Sequence, residues 1–149
     1  MTTILAFIIV LGVIVMVHEL GHFFAARSVG VRVDRFSIGF PPRLMTVTSV
    51  PNGFEIKLFF YRKDQDGKIS WGPIYNWAVK KPGRTGTGTE YCLAIIPLGG
   101  YVKMAGMIDE SMDGTIQNKP YELMNKPVWA QIWVMSAGVI MNILLAFII

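Results

Sequence analysis

The sequence predicts an α-helical integral membrane protein with a membrane-associated β region: two transmembrane helices joined by a mostly β segment on the cytoplasmic side. Three observations carry that reading. Two long apolar runs bracket the chain, the residues between them are patterned as short strands and turns, and every basic residue falls in that middle region. Composition agrees, since 52% of the 149 residues are hydrophobic and only 16% are charged, against about 25% charged in soluble domains.

The first run, Ile4 to Ala26, has 23 residues, which as a helix would extend roughly 34 Å and cross a hydrocarbon core of about 30 Å. Its leader Met1-Thr2-Thr3 has no basic residue and the run outlasts the core of a signal peptide, so residues 1–28 read as a retained span. The second span, 128–149, contains only Gln131, Ser136 and Asn142 as clearly polar members. In it Gln131, Met135, Gly138 and Asn142 fall on one helical face, where Gly138 permits close approach of a neighbour.

Charge placement sets the orientation. All 14 Lys and Arg residues lie between Arg27 and Lys126, with Arg27, Arg32, Arg35 and Arg43 at the exit of the first span and Lys119 and Lys126 before the second. By the positive-inside rule, residues 29–127 face the cytoplasm and both chain ends approach the opposite side of the plasma (inner) membrane. The net charge of +4 is spread among ten acidic residues, which suits contact with anionic lipid and does not form a nucleic-acid footprint. Cys92, the single cysteine, has no partner for an internal disulfide and suits a reducing compartment.

Between the spans the pattern is extended. Val31 to Phe40 is β-rich until Pro41-Pro42 stops it; Leu44–Val50 and Phe54–Tyr61 flank Pro51-Asn52-Gly53, a hairpin turn, and Phe54, Ile56 and Leu58 give the second strand an apolar face. Asp64-Gln65-Asp66-Gly67 lacks the ligand series of a calcium loop and reads as a turn. Residues 72–90, with four glycines and two prolines, predict an exposed, mobile loop, and Gly83 to Gly88 lacks the Gly-Lys-Ser/Thr of a phosphate cradle. Trp71, Tyr75 and Trp77 beside lysines suit either the headgroup layer or an ordinary exposed hairpin. Tyr91–Ile96 is again β-rich, Pro97-Leu98-Gly99-Gly100 turns the chain, Tyr101–Met104 extends, and Asp109–Asp113 reads as a solvated loop.

The chemistry lies in the first span. His18-Glu19-Leu20-Gly21-His22 interrupts the apolar run with the only two histidines in the chain. Each ionisable group at that depth costs about 2.5–3.5 kcal/mol on insertion scales, which is rarely tolerated without a role. Residues four apart share a helical face, so His18 and His22 can aim at one zinc ion, with Glu19 beside it as the proton-accepting base of a hydrolase. A polar cluster that only glues helices together does not account for that spacing.

With its apolar setting, His18-Glu19-Leu20-Gly21-His22-Phe23 resembles the motif of the site-2 protease family of intramembrane zinc metalloproteases, in its bacterial form. Phe36-Ser37-Ile38-Gly39-Phe40, Pro97 to Met104, and Ala137-Gly138 with Asn142 extend the resemblance over the first fifty and last sixty residues, with no match seen for 51–90. The resemblance implies a zinc-dependent endopeptidase (regulated intramembrane proteolysis) that cuts single-span membrane proteins or remnant signal peptides, with the active site towards the cytoplasm. It implies that His18 and His22 bind Zn2+, that Glu19 is the catalytic base, and that Gly99, Gly100, Tyr101, Val102, Lys103 and Met104 belong to a β element holding an extended substrate by strand addition. A small scaffold beneath the membrane is the other reading of those strands. Gly138 and Asn142 are implied to lie beside the site, touching substrate or serving packing alone.

One part of the family pattern is missing. Members take a third zinc ligand from an Asp in a Leu-Asp-Gly motif on a later membrane helix, usually after PDZ modules, and this sequence has neither. The expectation is an N-terminal portion of a longer protease, which alone binds zinc weakly and does not cleave. The alternative is an inactive membrane module that binds a substrate or partner.

Overall fold

The computed structural model describes residues 2–63, 69–107 and 118–149; the turn expected at Asp64–Gly67 and the loop at Asp109–Asp113 lie outside the described residues. Helix α1 (Thr2–Ser28) lies within the expected segment 1–28 and continues the apolar run Ile4–Ala26 by two residues at each end. In an uninterrupted helix every interior N–H finds a carbonyl four residues back, as an apolar medium demands. It stops at Gly30, whose φ of 69° is open to glycine and lets the Val31 N–H return to the Ala26 carbonyl at 2.9 Å. Helix α2 (Val128–Ile148) starts after Pro127. At 27 and 21 residues, both helices are long and apolar enough to cross a membrane.

The two helices meet through small residues. A Cβ on Gly21 would lie 2.5 Å from the Ala137 carbonyl oxygen, and the buried residues of α2 are Ala130, Val134, Ala137 and Gly138. The expected stripe of Gln131, Met135, Gly138 and Asn142 is therefore corrected. Gln131 turns back to donate to the Lys126 carbonyl at 2.8 Å, and Met135 is 59% exposed. The contact follows the smallest side chains, because backbone approach sets van der Waals gain between apolar helices. Gly21→Leu is expected to lower the thermal midpoint of the detergent-solubilised protein, by an overpacking cost of about 1–3 kcal/mol; an unchanged midpoint would remove Gly21 from the helix contact.

Four strands join the helices, β1 (Val33–Val50), β2 (Gly53–Lys63), β3 (Ile69–Lys80) and β4 (Glu90–Met104), in the order β3-β2-β1-β4. The hairpin predicted at Pro51–Gly53 forms: Val50 pairs with Gly53, and Asn52 takes a φ of 62°, which asparagine accepts at the third position of a type II turn. β1 and β4 are each bent double and interlock. Arg35–Ile38 pair with Gly100–Lys103 on one edge and with Glu90–Leu93 on the other, while Glu90–Leu93 also pair with Met45–Thr48. Residue numbers rise together in Arg35↔Glu90 to Ile38↔Leu93 but oppose in Met45↔Leu93 to Thr48↔Glu90. The chain thus reverses across Pro41-Pro42, and by the same reasoning across Pro97–Gly99. The bends expected there are real, although strand pairing continues through them.

Cross-strand partners share a face, so the registers read out whole rows. Val102, Phe36, Tyr91, Val47, Ile56 and Trp77 form one row, and Gly100, Ile38, Leu93, Met45, Leu58 and Tyr75 the next on that face. The opposite face carries Arg35, Glu90, Lys103 and Glu55, with Arg35 Nε paired to Glu90 Oε1 at 2.5 Å. α1 packs on the apolar face, the Phe23 ring lying 5.3 Å from Phe36 and 6.1 Å from Tyr91. Where α1 ends laterally the apolar face continues uncovered, with Tyr75 and Trp77 68% and 70% exposed. The core gathers Phe23, Ala26, Val33, Phe36, Val102, Met104, Leu123, Val134 and Ala137 where both helices meet the bent strands.

The loop expected over 72–90 is corrected in two ways. Residues 72–80 complete β3, since Tyr75, Trp77 and Val79 pair with Leu58, Ile56 and Phe54. Gly72 and Pro73 are accommodated at a register shift on an edge strand, where a missing N–H costs least. Residues 81–89 have no regular structure but are fastened to the β1–β2 turn. The Lys81 N–H donates to the Asn52 carbonyl at 2.7 Å, Asn52 N–H to the Arg84 carbonyl at 2.9 Å, and Gly88 N–H to the Ser49 carbonyl at 2.8 Å. Cys92 is buried, and burial pushes its thiol pKa up. Because only the thiolate is nucleophilic, native Cys92 is expected to react with iodoacetamide at pH 8 far more slowly than in urea-unfolded protein. Equal rates would contradict the interlocked strands around it.

Candidate metal centre

His18 and His22 sit on consecutive turns of α1, partly buried beneath α2. Their Nε2 atoms are 3.1 Å apart, and the rings meet edge to face with centroids 4.8 Å apart. Helix α2 holds the far side of each imidazole. His22 Nδ1 lies 2.7 Å from the Val134 carbonyl oxygen; a carbonyl can only accept, so Nδ1 carries the proton and the lone pair rests on Nε2. The Asn142 carboxamide reaches His18 Nδ1 at 3.2 Å. Between these contacts Gly138 makes room, for a Cβ there would lie 2.5 Å from His18 Nε2 and 2.6 Å from two ring carbons. Residues 134, 138 and 142 thus form one stripe of α2 facing the histidines, four residues apart.

The pair fits zinc. Two nitrogens on a tetrahedral ion at about 2.0–2.1 Å stand about 3.3 Å from one another, close to the observed separation. Glu19 follows His18 on the same helix and is partly buried. Among the described residues, no group of three His, Cys, Asp or Glu side chains could hold a metal ion. His18 and His22 could together offer an ion two nitrogens, where a hydrolytic zinc centre takes three protein ligands.

The other predicted site residues are only partly gathered here. Gly99, with a φ of 136°, lies against Val15, one helical turn before His18; a Cβ there would meet Val15 Cγ1 at 2.8 Å. A Cβ on Gly12 would meet the Pro97 carbonyl oxygen at 2.9 Å, so the bend of β4 reaches the middle of α1. Gly100–Met104 form the outer ribbon of the sheet, paired with β1 on one edge. Val102 and Met104 lie in the core and Tyr101 is buried, with Lys103 half-buried. The Val134 carbonyl had no signal in the sequence, because any residue there supplies a carbonyl and only the helix crossing selects which.

The model of peptidase family M50 matches residues 6–64 and 77–149, which is most of the chain. The chain belongs to peptidase family M50. The match runs on through 51–64 and 77–90, which motif resemblance alone had left out, and it leaves out residues 1–5 and 65–76. Protease RseP of Yersinia pestis is 36% identical over 143 residues, covering 96% of this chain and 23% of its own length. A putative zinc metalloprotease of Nostoc sp. is 36% identical over 148 residues, covering 99% of this chain and 30% of its own length. The regulator of sigma-E protease RseP of Escherichia coli is 36% identical over 143 residues, covering 95% of this chain and 23% of its own length. The chain therefore spans between about a quarter and a third of the length of these M50 relatives.

Proposed function

We propose that this chain carries the zinc-binding and base residues of an intramembrane endopeptidase that cuts single-span membrane proteins or remnant signal peptides. The single observation that carries it is the convergence of His18 and His22 Nε2, 3.1 Å apart, on an apolar 27-residue helix. His18 and His22 would hold the ion, and the third ligand would be the Asp of a Leu-Asp-Gly motif outside these residues. When bound, zinc supplies a lowered water pKa and polarisation of the peptide carbonyl. Glu19 takes a proton from the attacking water and returns it to the leaving nitrogen.

The basic residues flanking both helices support a multi-pass inner-membrane protein with the site on the cytoplasmic side. Gly99–Met104 would receive the substrate. Their ribbon is paired with β1 on one edge, and its other edge can bond an extended peptide backbone whose helix has been unwound. A helical peptide bond shields its carbonyl, so a bound and extended form is the one open to attack.

In reconstituted vesicles, cleavage of a single-span substrate by the full-length protease is expected to stop on treatment with 1,10-phenanthroline and to return with added Zn2+. Cleavage that persists after verified zinc removal would overturn the proposal.

A further inference from the structure

Asn142 sits at the one polar contact between α2 and His18. Its carboxamide lies 3.2 Å from His18 Nδ1, while its Oδ1 is buried without a hydrogen-bond partner. Turning the carboxamide by 180° exchanges Oδ1 and Nδ2 with no change of shape, and brings an acceptor to Nδ1. His22 shows what such an acceptor does: the Val134 carbonyl at 2.7 Å keeps the proton on Nδ1 and the lone pair on Nε2. The two Nε2 atoms face each other at 3.1 Å, so both rings must expose lone pairs there to share an ion. His18 lacks a main-chain acceptor of that kind among its described contacts, and Asn142 is the side chain in place to act as one.

We infer that Asn142 is a positioning residue for the metal centre: its Oδ1 accepts from His18 Nδ1–H, fixing the ring's tautomer and direction so that Nε2 presents its lone pair beside that of His22. This deepens the zinc-protease reading and rests on it. It differs from a substrate contact, because its effect appears in metal affinity with no substrate present. Partners of this kind on ligating histidines are typically worth about 10–100-fold in affinity. The spacing from Val134 to Asn142 explains how one helix serves both rings. The carbonyl and the carboxamide lie two turns apart, and Gly138 between them leaves the space that His18 fills.

The test is Zn2+ affinity of the full-length protease, measured by chelator competition for wild type, Asn142→Leu and Asn142→Asp. Asn142→Leu keeps the volume and removes the acceptor, so affinity is expected to fall about 10–100-fold. Asn142→Asp restores an acceptor at the same place and is expected to bind within about threefold of wild type. Unchanged affinity in Asn142→Leu overturns the inference, including the case in which cleavage alone falls, since that marks a substrate contact. An equal fall in both variants also overturns it, because a packing role makes no distinction between the two. Wild-type protein that binds no Zn2+ refutes the zinc-protease reading itself, whereas tight wild-type binding with no effect of Asn142→Leu refutes only this inference.

Discussion

Glu19→Gln in the full-length protease is expected to lower substrate cleavage by about 10²–10⁴-fold, the usual worth of a positioned general base. Zinc content and capture of uncleaved substrate are expected to stay near wild type. The reason lies in what the change removes: glutamine matches glutamate in shape but takes no proton at neutral pH. Glu19 directly follows one histidine and precedes the other by three residues, so it stays close to the ion's position whether or not it touches it. Cleavage undiminished in the variant removes Glu19 from the reaction. Loss of zinc together with loss of cleavage assigns it to the metal centre instead. The same variant separates an enzyme from a module that only binds, because a binding module has no cleavage to lose.

Gly138→Leu is expected to cost about 100-fold in cleavage and to weaken zinc binding as well. The first atom of any side chain at 138 would stand 2.5–2.6 Å from three atoms of the His18 ring, so the imidazole must move. A displacement near 1 Å in a catalytic constellation costs about 10²-fold. The helix cannot easily back away to relieve the clash, because α1 and α2 are also in close contact at Gly21 and Ala137. Zinc affinity and kcat should therefore fall together, with little change in expression. A variant with wild-type zinc affinity would show that His18 has another way to sit, and the geometry described here would not be the working one.

Features set by neighbouring residues were legible in the sequence. The two long helices follow from the two apolar runs, the imidazole pair from a spacing of four, and the first hairpin from Pro51-Asn52-Gly53. The face on which α1 packs was visible in part as Phe54, Ile56 and Leu58. What escaped depends on residues far apart in the chain. Nothing local says that Phe36 lies between Tyr91 and Val102, so the interlocking of β1 and β4 is invisible before the fold is known. The strand over 72–80 was hidden by Gly72 and Pro73, whose local bias gives way to pairing of Tyr75, Trp77 and Val79 with β2. On α2, polarity suggested a stripe through Gln131 and Met135, but the helices meet where the side chains are smallest.

At the site the convergence of the two imidazoles was legible, because residues four apart share a helical face. Their support was not. The Val134 carbonyl is anonymous in sequence, and Asn142 was visible only as a polar residue in an apolar helix. Both acquire meaning from the crossing of α1 and α2, which brings residues 112 and 124 positions apart into hydrogen-bond range.

The most direct measurement is the zinc content of purified full-length protease, compared with His18→Ala and His22→Ala. One zinc per chain is expected in the wild type, and well below half occupancy in each variant after dialysis against a mild chelator. A shared ion between two imidazoles requires both losses. Zinc retained at wild-type levels in either variant, or absent from the wild type, would contradict a metal held by this pair on the first apolar helix.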